Sequence, residues 1–98
     1  MAKVKIDMRI LFKMLGEIRN EVGFERWTFE IVEKIAKKLG YTVTKELVEG
    51  KEIYEVKETG KKSTRTLNIL TSILVHYIKK TGKSIEEIKK EVLEAIKS

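Results

Sequence analysis

The chain's only histidine, His76, sits near the end of its most apolar stretch, Thr64–Lys80, which reads TRTLNILTSILVHYIKK. A lone imidazole can serve as a base or a ligand only where partners converge on it. The carboxylates nearest in sequence, Glu58 and Glu86, lie beyond the reach of a helical neighbour. There is no second histidine and no cysteine to complete a metal shell, so no metal site is expected. The G-x-S-x-G nucleophile turn is also absent. The 15 acidic residues offer carboxylate pairs, but most fall on helix faces beside lysines, where solvated ion pairs are the simpler reading. His76 is therefore expected to be a half-buried structural residue. The chain is expected not to be an enzyme and to need no cofactor.

Two Gly-Lys pieces, Gly60-Lys61-Lys62-Ser63 and Gly82-Lys83-Ser84, resemble the end of a phosphate loop. That loop needs a glycine five residues earlier, where this chain has Glu55 and Tyr77, so P-loop nucleotide hydrolysis is rejected. The first piece keeps an interest of its own. Lys61, Lys62 and Arg65 gather where a helix should begin, an end that is already electropositive and rich in free backbone N–H groups. Ser63 and Thr64 add hydroxyl donors, and the segment 61–65 reads as a site for phosphate or another polyanion. A second basic group, Lys79, Lys80 and Lys83, lies at the far end of the same helix, where cations are favoured on dipole grounds alone. About 16 helical residues separate the two groups, roughly 24 Å at 1.5 Å per residue. One compact pocket shared by both is therefore not expected within a single chain.

The net charge of +6 is uneven: residues 1–40 carry +3, residues 41–60 carry −2 and residues 61–98 carry +5. Charged residues make up 37% of the chain, mostly Lys and Glu, and there is no Gln. That balance fits proteins selected at high temperature, and it weakens any argument from lysine number alone. The absence of cysteine excludes disulfides and is compatible with the cytoplasm. The N-terminus, MAKVKIDMR, has no signal-peptide core, and no run approaches the ~18 apolar residues of a membrane span.

Four helices and a hairpin must position these groups. Met8, Leu11, Leu15, Ile18 and Val22 repeat at helical spacing over residues 7–22, with Asp7 as N-cap and Gly23 as stop. Trp27, Ile31, Val32, Ile35 and Leu39 form the stripe of a second helix from about Glu25 to Leu39. After Gly40 the period falls to two, and Tyr41–Val48 and Lys51–Glu58 flank Glu49-Gly50 as a hairpin. With those two residues as the turn, Val43 faces Val56 and Lys45 faces Tyr54, and Tyr41, Val43, Leu47, Tyr54 and Val56 share the core face. Ser63 or Thr64 caps the central helix, about 64–80. Ser84 and Glu87 form a capping box for a last helix with Ile85, Ile88, Val92 and Ile96 in its stripe and a Glu86–Lys90 pair on its polar face.

The sequence thus predicts a single α+β domain over residues 1–98, in the order helix, helix, β-hairpin, helix, helix. A winged helix is disfavoured, because no third helix precedes the hairpin and the hairpin is acidic. Ile10, Phe12, Met14 and Ile53 fall off the core stripes, and the central helix has more apolar surface than its neighbours obviously cover, which points to a homodimer. The basic C-terminal third points to a small nucleic-acid-associated protein, DNA ahead of RNA and regulatory in character, holding phosphates with weak sequence preference. The rival is a protein-interaction module, an inhibitor or adaptor, acting through exposed apolar residues or the acidic hairpin.

Overall fold

A computed structural model of the chain describes residues 5–98; the part of the N-terminal reading that falls on residues 1–4 lies outside the described residues. Helix α1 (Met8–Val22) is followed by α2 (Phe29–Leu39). Strands β1 (Val43–Val48), β2 (Lys51–Val56) and β3 (Lys62–Ser63) come next, then α3 (Thr66–Thr81) and α4 (Ile85–Lys97). The three strands form an antiparallel sheet in the order β1-β2-β3. This is the α+β order read from the sequence, with one short strand added.

The hairpin register is the expected one: Val43 pairs with Val56 and Lys45 with Tyr54. Glu49 has φ 51° and Gly50 φ 79°, the double left-handed conformation of a type I′ turn. Tyr41, Val43, Tyr54 and Val56 are buried as expected, but Leu47 is 70% exposed. The hairpin outruns the helices beneath it, so its tip has nothing to pack on.

Helix α3 lies at the centre. Ile69, Leu70, Ile73 and Leu74 are completely buried, and Ile78 is nearly so. The second helix packs on α3 and α4, α1 packs on α4, and the sheet packs on α3. The apolar surplus expected on the central helix is therefore covered within the chain. Met14, expected off the core, is also buried, because α1 rotates it toward the same cluster as Leu11, Leu15 and Ile18. Among the described residues, the large apolar side chains left exposed are Met8, Ile10, Phe12 and Val22 on α1, with Leu47 and Val48 on β1.

The caps at Asp7 and Ser84 form as read. Asp7 Oδ1 accepts from the Arg9 N–H at 2.9 Å, and Ser84 and Glu87 complete a reciprocal capping box. Two helix starts differ. The second helix begins at Phe29, because Thr28 caps it by accepting the Ile31 N–H at 3.3 Å. Trp27 thereby lies in the connection before the helix, edge-to-face with Phe24, though still partly buried against the core. The central helix begins at Thr66, because Lys62 and Ser63 are drawn into β3 against Glu55 and Tyr54. Neither Ser63 nor Thr64 caps it; the N-cap is Arg65, which supplies no side-chain bond. The Glu86–Lys90 pair does not form; α4 instead sends Lys89 to Glu17 at 3.6 Å and Glu94 to Lys38 at 3.5 Å, linking α4 to its neighbours.

Candidate polyanion-binding site

The loop before α2 and the start of α3 meet. The Thr66 hydroxyl donates to the Trp27 carbonyl, holding the two segments together. Between them and α1 opens a cleft of about 730 Å³. Its charged wall is Arg19 from α1, Arg26 from the connection and Arg65 from the N-cap of α3, with Glu25 as the acidic member. Its apolar wall includes Phe12, Trp27 and Phe29. Among the described residues none of the three arginines enters an ion pair. The Arg19 guanidinium donates to the Glu25 carbonyl at 3.2 Å, which holds it at the cleft without spending its charge.

At the same place α3 presents an open N-terminus. Ser63 Oγ accepts from the Arg65 N–H at 3.1 Å and from Asn68 Nδ2 at 3.3 Å, which shapes the approach but leaves the first-turn N–H groups of α3 without a side-chain acceptor. Tyr54, on the floor of the cleft, is not a free phenol. It donates to Glu52 Oε2 at 2.7 Å, and that hydrogen bond, with burial, raises its pKa. Phe29 stacks on Tyr54 and has the Lys45 ammonium 4.9 Å from its ring centre.

A second hollow, about 580 Å³, follows along α3. The first is lined by Thr64–Leu67 and the second by residues from Asn68 to Lys79, with Phe12 and Met8, one turn apart on α1, as the opposite walls. Lys61 and Lys79, one from each basic group, both line the second hollow. Lys61 does not extend beyond the start of α3; the turn at Gly60, with φ 75° and its N–H bonded to the Val56 carbonyl at 2.8 Å, folds residues 59–61 back beside the helix.

The remaining sequence candidates divide. Thr64 and Arg65 line the first cleft, and Lys61 and Lys79 the second. Lys62, Ser63 and Lys80 line neither hollow. Lys83 is engaged elsewhere: its ammonium donates to Glu91 Oε1 and to the Tyr77 hydroxyl, each at 2.9 Å, and both partners raise its pKa. Arg19 and Arg26 were absent from the sequence candidates, and Trp27, whose ring could stack on a base, was read as core from its spacing. The one signal that marked them is their rarity, since the chain has only four arginines and one tryptophan.

His76 is exposed rather than half-buried, on the wall of the second hollow. Its Nδ1 lies 2.5 Å from the Tyr41 hydroxyl, whose pKa is raised by burial and by Tyr77 and Glu58 nearby. Glu58 does not complete a relay to His76. Its two oxygens accept the Thr42 N–H at 2.7 Å and the Thr42 hydroxyl at 3.0 Å, and the backbone bond, the largest effect, lowers its pKa. Among the described residues no three His, Asp or Glu side chains come together as a metal group, and no helix is long and apolar enough to cross a membrane.

Comparison with known protein families, with curated proteins and with solved structures finds no match to this chain.

Proposed function

We propose that this is a small nucleic-acid-binding protein that grips phosphates through the arginine cleft and continues along α3 past Lys61 and Lys79. DNA is the favoured ligand ahead of RNA, and the action is binding, not catalysis, in keeping with a regulatory protein. A cytoplasmic setting and a thermophilic source complete the reading. The observation that carries it is the segregation of arginine from lysine. The chain has 17 lysines and four arginines, yet three of the arginines and none of the described lysines line the cleft. A lysine-rich surface selected for heat does not account for that. A guanidinium holds phosphate through two parallel hydrogen bonds and is less strongly hydrated than an ammonium, so it suits a recessed anion site.

The test is a salt titration of binding to random duplex and single-stranded oligonucleotides. Wild type should lose affinity steeply with salt. Replacing Arg19, Arg26 and Arg65 together by Gln should flatten the log–log slope by up to about 3 × 0.9 on duplex, or about 3 × 0.7 on a single strand. No binding to either at ~50 mM salt would sink the reading. An inhibitor or adaptor acting through exposed apolar residues such as Leu47 would then lead, and its binding should survive moderate salt.

A further inference from the structure

Resting on the nucleic-acid reading, we infer that the cleft takes a single strand, with an unstacked base lying against Phe12 and a neighbouring one reaching Trp27. Phe12 is 47% exposed although it stands on the wall of a cleft that carries three arginines. It makes no ring contact with another aromatic side chain, whereas Trp27 is held by Phe24 and Phe29 by Tyr54. A bare apolar ring among cations has no use for a phosphate backbone. It suits a ligand that is anionic and carries flat apolar faces.

A duplex does not offer such faces, because its bases are stacked on one another and opening them costs a few kcal/mol per base. A single strand offers both phosphates and open bases. Arginine–aromatic grooves of this composition bind single strands with little sequence preference, because every base has a π-face. The shape agrees. From Arg65 to Lys79 the chain runs about 21 Å at 1.5 Å per residue, with the first hollow at the head of α3 and the second beside residues 68–79, a spacing that an extended strand can span.

Trp27 is the only tryptophan, so its fluorescence reports on the cleft directly. The experiment titrates the whole chain, at ~50 mM salt, with four probes of matched charge: a dT oligonucleotide, the same strand made abasic, a duplex, and a poly-glutamate peptide. The dT strand should bind tightest and quench Trp27, and the abasic strand should bind more weakly without quenching. Phe12→Ala and Phe12→Leu should each lower dT affinity roughly 5- to 150-fold, the range for losing one base–aromatic stack, and leave abasic affinity unchanged. Phe12 is exposed, so both variants should fold, and Phe12→Leu keeps the apolar bulk while removing the ring. Equal binding of dT, abasic strand and duplex, with no effect of Phe12, overturns the single-strand inference while phosphate binding stands. Poly-glutamate binding as tightly as dT overturns it in favour of an acidic protein partner. Failure of every oligonucleotide to bind overturns the nucleic-acid reading itself.

Discussion

The Lys83 ammonium sits 2.9 Å from Glu91 Oε1, across the turn between α3 and α4. The Tyr77 hydroxyl donates to the same oxygen at 3.0 Å, so one carboxylate oxygen organises a lysine, a phenol and the start of the last helix. Glu91 Oε2 is buried without a partner, so the bonds that Lys83 and Tyr77 donate to Oε1 offset the cost of that burial. Lys83 is therefore a structural lysine. Lys83→Ala should lower the melting temperature and leave the salt slope of oligonucleotide binding unchanged. The hydrogen bonds to Tyr77 and then to Glu91 raise the Lys83 pKa above its ordinary 10.5, so their contribution is complete below that value and is lost as pH rises through the folded-state value. A Lys83→Ala variant as stable as wild type at neutral pH, or one with a flatter salt slope, would contradict this.

Glu58 closes the open end of the hairpin by accepting two bonds from Thr42, beside the Lys57 N–H to Thr42 carbonyl bond at 2.9 Å. Its pKa is lowered, so the stability it contributes is present above the ordinary value of 4.5 and is lost as pH falls through the lower folded-state value. Thermal melts of wild type and Glu58→Gln should differ at pH 7 and converge in acid. A gap that stays constant from neutral to strongly acid pH would rule out this role.

At the other end of the hairpin, Glu49 holds φ 51° against the preference of an ordinary L-residue. Asparagine tolerates that conformation and makes the preferred Asn-Gly turn. Glu49→Asn should therefore stabilise the chain by roughly 0.5–1 kcal/mol, read from urea unfolding. A loss of stability would mean that the turn is not the type I′ form.

Strand β1 is the outer strand of the sheet, six residues long, with its far edge unpaired among the described residues and Leu47 and Val48 exposed. Such an edge is a template for pairing with another strand. We expect a homodimer in which β1 pairs with its copy in a second chain, which would extend the three-stranded sheet across a two-fold axis. Light scattering should give twice the 11.4 kDa chain mass, and Leu47→Lys should return it to one chain. The monomer mass for wild type at all concentrations would dispose of the dimer.

What could be read from residue order is whatever local physics decides. The change of period at Gly40, the Glu49-Gly50 turn and the Asp7 and Ser84 caps each depend on a few consecutive residues, and they place the helices, the hairpin and the Val43–Val56 register without further help. Helix starts were read less well where a distant partner intervened: β2 claims Lys62 and Ser63 as a third strand and delays α3. The site belongs wholly to that second kind of decision. Arg19, Arg26 and Arg65 stand on three separate segments and share no spacing that a pattern could reveal. They converge because α1 is carried by α4, α2 by α3, and the Thr66 hydroxyl fastens the loop of Trp27 to the head of the central helix. Trp27 fits a helical stripe by position, yet Thr28 caps α2 so that the helix starts at Phe29, and Trp27 is left in the connection, where it lines the cleft. Periodicity records which face of an element is apolar; only the packing of the elements decides which polar faces end up opposite one another.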